Sequence, residues 1–169
     1  MNSQKPKTRR AKLEDVPKLR KLRIQLVREN PRIFGVIEST ERKRNLDYYK
    51  KWIKEYSQKD AAILLLEVYG DLVGMAAIKR EDVSNPEIGY IGSLGVLKKF
   101  QGKGYGRLLD QKREHWVKEK TKFKKLKCIV AKFNNKRLEI LKKHGYIVVG
   151  EGKYYGVPEY YLEKDLKFN

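Results

Sequence analysis

Sulfur is almost missing from this chain: 169 residues hold one cysteine, Cys128, and two methionines. One cysteine closes no internal disulfide, so packing and hydrogen bonds must hold the fold, and a reducing, cytoplasmic compartment is the simplest fit. Histidine is as scarce. His115 and His144 stand in no metal or triad spacing, so no metal site is expected. No run reaches the roughly 18 apolar residues of a spanning helix. The basic stretch from Met1 to Lys12 lacks the apolar core of a signal peptide, so no membrane partner is expected. There is no internal repeat and no Pro/Gly/Ser-rich linker, which makes residues 1–169 one domain, with 1–7 a flexible basic arm.

Acidic residues are also in short supply. Twenty-one Asp and Glu face forty Lys and Arg, a formal charge of +19. Such a field favours anionic partners: nucleic acid, an acidic protein or a phosphorylated ligand. A solvated, lysine-rich surface of the heat-adapted kind is the other reading, although glutamate is not in matching excess.

What is present divides into alternating elements. Thr8 to Lys12 reads as a short strand. Asp15 and Pro17 open a helix carrying Val16, Leu19, Leu22 and Leu26, and Asn30-Pro31 ends it. Glu38 to Tyr56 reads as a second helix, with Leu46, Tyr49, Ile53 and Tyr56 on one stripe. Ala61 to Val68 and Leu72 to Ile78 are strands joined at Tyr69-Gly70-Asp71. Glu87 to Leu97 is a longer strand after the turn Ser84-Asn85-Pro86. Leu108 to Lys120 is a helix, packing through Leu108, Leu109, Lys112 and Trp116. Leu126 to Val130 is a strand, Asn134 caps a helix ended by Gly145, and Ile147 to Tyr155 and Glu159 to Leu166 close the chain as strands. This order predicts an α/β domain with a mixed sheet and helices on both faces.

Between the long strand and the next helix lies Gln101-Gly102-Lys103-Gly104-Tyr105-Gly106-Arg107. Glycines at alternate positions let the backbone take positive φ and approach a ligand closely. A helix N-terminus then follows, whose free N–H groups and dipole attract phosphate. Spacing excludes two common phosphate motifs. Gly102-Lys103 is followed by Gly104, not by the Ser or Thr of a Walker A loop. A dinucleotide fingerprint starting at Gly102 or Gly104 meets Arg107 or Leu109 where its third glycine belongs.

Leu94-Gly95-Val96 followed by Gln101 to Gly106 resembles motif A of the GNAT superfamily, the acyl-CoA-dependent N-acyltransferases. Val130 to Tyr146, with Asn134 at the helix start and Gly145-Tyr146 at its end, resembles the family's motif B. Asn30-Pro31-Arg32-Ile33-Phe34-Gly35 is similar to the Pro-x-x-Phe-Gly of many small members. The resemblance covers nearly the whole chain. It implies a single GNAT-like domain: a mixed, mostly antiparallel seven-stranded sheet with a central splayed parallel pair and about four helices on both faces.

The resemblance implies acetyl-CoA between the splayed strands, as donor to a primary amine: a small molecule, a protein N-terminus or a lysine. Its pyrophosphate would rest on Gly102, Lys103, Gly104, Tyr105, Gly106 and Arg107, behind Gln101. Leu94 and Val96 would pair with the pantetheine amides, the Val96 N–H would hold the thioester oxygen as charge builds on it, and Asn134 would bond the pantetheine arm. Where many members carry a base before motif A, this chain has Tyr90 and Gly92. Tyr90 reads as an acceptor-pocket residue. Glu87, the nearest carboxylate, reads either as a solvated strand-edge residue or as a base acting through water. The family's usual general-acid tyrosine falls on Leu141, so that role has no carried-over residue. A cationic acceptor would need local acid, for which Glu38, Glu41 and Glu87 are the candidates. The alternative is a GNAT-like binding module of weak catalysis, docking on nucleic acid or ribosomes through Lys118 to Lys127 and the Lys5 to Lys12 arm. Monomer and homodimer both remain open.

Overall fold

The computed structural model describes residues 5–30, 38–154 and 156–167. The Pro31 to Gly35 motif and Tyr155 lie outside them. The elements are β1 (Lys7–Arg10), α1 (Val16–Glu29), α2 (Glu38–Lys43), α3 (Leu46–Glu55), β2 (Ala62–Val68), β3 (Asp71–Asp82), β4 (Asn85–Val96), α4 (Tyr105–Lys120), β5 (Lys125–Ala131), α5 (Asn135–Lys143), β6 (Ile147–Tyr154) and β7 (Val157–Asp165). The seven strands form one sheet in the order β1-β2-β3-β4-β5-β7-β6. Only β4 and β5 run parallel; every other neighbouring pair is antiparallel.

Alternation along the strands sorts the core into two layers. Ile63 and Leu65 of β2, with Met75 and Ala77 of β3, face Leu19, Leu22 and Leu26 of α1 and Tyr49 and Ile53 of α3. Leu64 and Leu66 point the other way and join Ile91, Leu126, Cys128 and Val130 beneath Leu109 and Val117 of α4 and Leu141 of α5. Each such side chain, when fully buried, contributes about 1.5–3 kcal/mol. Helices therefore cover both faces.

Three local readings are corrected. The stretch from Glu38 to Tyr56 is two helices: Asn45 takes an extended conformation and its Oδ1 accepts from the Tyr48 N–H at 2.9 Å, starting α3 afresh. Asp15 does not cap α1. Its carboxylate is held by the Arg9 guanidinium at 2.6 and 2.7 Å and by the Lys12 N–H at 2.8 Å. The buried face of α4 carries Leu109, Asp110, Arg113 and Val117, while Lys112 is exposed.

Candidate active site

β4 and β5 are paired only at Ile88–Lys125, Gly89–Leu126 and Tyr90–Lys127. Beyond Tyr90 the two strands separate, each still held by its outer neighbour. The parting coincides with a bulge in β4. Met75 pairs with Gly95 and Ala77 with Gly92, so Ser93 and Leu94 together oppose Ala76, and Ser93 has φ 49°. A bulge bends its strand and leaves peptide groups outside the ladder. The result is a cleft of about 930 Å³ running between β4 and β5 toward α4 and α5.

The edge of β4 at this cleft is directional. The Leu97 N–H donates to the Val73 carbonyl at 2.9 Å. Alternation in an antiparallel ladder then turns the neighbouring Val96 N–H and C=O away from β3, toward the cleft. The Val96 carbonyl on that edge accepts from Gln101 Nε2 at 2.8 Å. Gln101 thus ties the glycine loop to the strand edge.

The loop feeds α4 through two left-handed residues, Gly102 at φ 78° and Gly104 at φ 79°. The helical bonds begin with the Leu108 N–H donating to the Gly104 carbonyl at 3.0 Å. The N–H groups of Tyr105, Gly106 and Arg107 therefore have no intrahelical partner and sit at the positive end of the dipole. No atom lies within 4 Å of where a Cβ would stand at Gly102, Gly104 or Gly106. A cradle of N–H groups with unfilled space over it fits a phosphate chain, and so fits the pyrophosphate of CoA.

Of the residues singled out in the sequence, Tyr90, Leu94, Val96, Gln101, Gly102, Gly104, Tyr105, Gly106, Arg107 and Asn134 line this cleft. Two do not. The Lys103 ammonium lies over the Phe100 ring, 5.6 Å from its centroid. Glu87 stands beyond the closed end of the strand pair, where its carboxylate meets Lys124 at 2.5 Å. Asn134 Oδ1 caps α5, accepting from the Arg137 N–H at 3.3 Å. Leu141 both lines the cleft and packs in the core. The carboxylates considered for a cationic acceptor are also engaged: Glu38 by Arg28 and Arg42, and buried Glu41 by Arg23, Arg44 and the Tyr49 hydroxyl.

Several lining residues were not singled out. Asp110 and Arg113 of α4 and Arg137 of α5 form a charge cluster, with Arg113 Nη2 to Asp110 at 2.5 Å and Arg137 Nη2 to Asp110 at 3.1 Å. Arg113 is only 2% exposed. Burial works to raise the Asp110 carboxyl, yet Arg137 and Arg113 outweigh it and hold it below the usual carboxylate range. The signal was available: Asp110, Arg113 and Val117 share the spacing of one helix face with Leu109, so charges stand on an apolar stripe. Glu159 of β7, opposite Ala131 of β5, lines the cleft beside Tyr154 and Ile129. Burial raises its carboxyl. Burial likewise pushes the Tyr90 phenol up to about 12 and the Cys128 thiol up to about 11, so both are neutral near pH 7. A protonated, buried thiol is no nucleophile.

The model of the acetyltransferase (GNAT) family matches residues 23–146. No curated protein matches the chain. Among solved structures, a GNAT-family acetyltransferase from Streptococcus pneumoniae is 18% identical, with TM-score 0.85 over 96% of this chain and 100% of that one. The PaiA N-acetyltransferase of Thermoplasma acidophilum, solved in complex with coenzyme A, is 17% identical, with TM-score 0.79 over 96% and 99%. The ribosomal-protein-alanine N-acetyltransferase of Brucella melitensis is 20% identical, with TM-score 0.77 over 95% and 99%. At these identities the likeness is one of fold.

Proposed function

Because the chain belongs to the acetyltransferase (GNAT) family, we propose that it moves the acetyl group of acetyl-CoA directly onto a primary amine held in the β4–β5 cleft. The observation that carries this reading is the parting of β4 from β5 beside a glycine cradle at the start of α4. Acetyl-CoA supplies an activated acyl carbon on a thiol leaving group. The N–H groups of Tyr105, Gly106 and Arg107 hold the pyrophosphate, and the Arg107 side chain adds charge beside it. The edge of β4 at Leu94 and Val96 pairs with the pantetheine amides, as an added strand would. The Val96 N–H donates to the thioester oxygen; one such donor is worth about 3–4 kcal/mol in other acyl transfers. Asn134 bonds the pantetheine arm.

The attacking amine must first lose a proton, since an alkylammonium titrates near about 10.4. The described residues lining the cleft include two carboxylates, Asp110 and Glu159. Asp110 is taken by two arginines. Glu159 remains, and the role considered for Glu87 passes to it. The ammonium gives its first proton to solvent; the neutral amine then attacks, the new C–N bond forms as the C–S bond breaks, and the second proton leaves the nitrogen for the Glu159 carboxylate. Tyr90, Ile129 and Tyr154 line the acceptor side. Leu141 offers no proton, and CoA leaves as the thiolate, its thiol titrating near about 8.5 if it behaves as a cysteine does.

Calorimetric titration with acetyl-CoA, followed by a turnover screen over small amines, peptide N-termini and lysine peptides, tests the reading. Binding is expected, with turnover on one class. No binding by the intact protein, or unchanged affinity in Gly104→Trp, would overturn it.

A further inference from the structure

The bulge that opens the cleft has a cost inside the fold. Ala77 and Gly92 face one another across β3 and β4 just where the ladder is interrupted. A bulge disrupts the ladder around it, and a carbonyl, with two lone pairs, can take a donor from outside the sheet. The donor reaches them from α4: Arg113 Nη1 lies 3.3 Å from the Ala77 oxygen and 3.3 Å from the Gly92 oxygen. The same guanidinium gives its other terminal nitrogen to Asp110 at 2.5 Å. Asp110 in turn is gripped by Arg137, whose side chain is 16% exposed, from α5 on the far wall. One planar fork thus spans a bulge carbonyl, its partner strand and a carboxylate, which lysine's point charge cannot do.

We propose that Arg113 is a positioning residue for acyl transfer. It locks the bulge at Ser93 in the shape that presents the Leu94–Val96 edge to the thioester, and Asp110 and Arg137 lock Arg113. The inference rests on the proposed acetyl-CoA site and adds what fixes its geometry. Three features separate this from plain core packing. The cluster carries two positive charges against one negative, where an apolar trio would fill the space without desolvating ions. Its contacts on the sheet are the carbonyls beside the bulge. It bridges both helices that wall the cleft. Among these, the bond to Gly92 acts on the residue next to the one with positive φ, so its loss frees the strained backbone.

The test reads the thioester carbonyl itself. In infrared difference spectra of carbonyl-labelled acetyl-CoA bound to the full chain, donation from a fixed backbone N–H lowers the stretching frequency. The wild type is expected to show this shift. Arg113→Met and Arg113→Lys should bind CoA within a few-fold of wild type, yet lose most of the shift. With an acceptor from the screen, kcat should fall about a hundredfold while the KM for acetyl-CoA barely moves. Should the Arg113 variants fail to fold, Arg137→Gln carries the test from the partly exposed end of the cluster, with a partial loss of shift expected. A wild-type shift that survives in every folded variant overturns the inference and leaves the acetyl-CoA site standing. A wild type that does not bind acetyl-CoA overturns both.

Discussion

At residue scale, Gly104 and Glu159 bear on opposite walls of the same cleft. Gly104 takes φ 79° with open space where a side chain would go. Alanine there meets no clash but pays left-handed strain of about 1–2 kcal/mol. Gly104→Ala should therefore lower the urea midpoint modestly and weaken acetyl-CoA binding, whereas Gly104→Trp fills the cradle and abolishes it in a protein that still folds. Retained affinity in the tryptophan variant would sink the phosphate assignment. Glu159 is argued from charge. Burial raises its carboxyl, so the folded chain holds that proton to higher pH than the unfolded chain does. Ionising it therefore opposes folding as pH rises through the raised value, while the proposed reaction needs it ionised. Glu159→Gln should thus be at least as stable as wild type at neutral pH, with kcat reduced and the acidic limb of its pH–rate profile lost. An unchanged acidic limb would remove Glu159 from the reaction.

At the scale of elements, the sequence and the fold agree wherever a periodicity was uninterrupted. The apolar run from Ala61 to Val68, the glycines after Val96, and Asn134 before the helix that Gly145 ends are local signals, and the structure has a strand, a left-handed turn and a capped helix there. Two of the misses, the charge cluster on α4 and the carboxylate on β7, share a cause, which is that their partners come from far away in sequence; the break at Asn45 is local. The break at Asn45 is hidden because Glu38 to Lys43 carries no apolar residue, so nothing in the pattern sets it apart from the stripe at Leu46, Tyr49 and Ile53. The cap shows only once the Tyr48 N–H is seen to need it. Asp110 and Arg113 were not singled out, because their partners Arg137, Ala77 and Gly92 lie on other elements. A carboxylate for the cleft was sought on β4, as Glu87; the one that lines it beside β5 is Glu159 on β7, which topology alone brings there. The cap supports a direct test. Asn45→Ala removes the acceptor for the Tyr48 N–H and should cost about 1 kcal/mol in urea unfolding, with Asn45→Ser near wild type. Equal stability of the alanine variant would mean that α3 does not depend on its cap.

For the whole molecule the deciding quantity is the surplus of cations. With a formal charge of +19, the acids are largely spent in ion pairs, exposed ones such as Lys50–Asp47, Lys79–Glu55 and Lys124–Glu87 among them. Exposed pairs of this kind contribute little, about 0–1 kcal/mol each. The unpaired lysines repel one another across the surface, a repulsion that compaction increases. Salt near 0.15 M shortens its reach to about 8 Å. Added sodium chloride should accordingly raise Tm, opposite to what loss of ion pairs would do. Lowering the pH works against the fold twice. Arg9 first among its partners holds the Asp15 carboxyl low, and arginines hold Asp110 low against its burial. Their contribution is complete above the ordinary carboxylate range and is lost as pH falls through the depressed folded values. Each proton taken up also adds to a charge already far from zero. Stability should therefore drop steeply below about pH 4, and salt should recover the part due to repulsion while leaving the part due to Asp15 and Asp110. Differential scanning calorimetry over a salt series, at neutral pH and at acid pH, separates the two. A Tm that falls with salt at neutral pH would show that ion pairs, not surplus charge, dominate this surface.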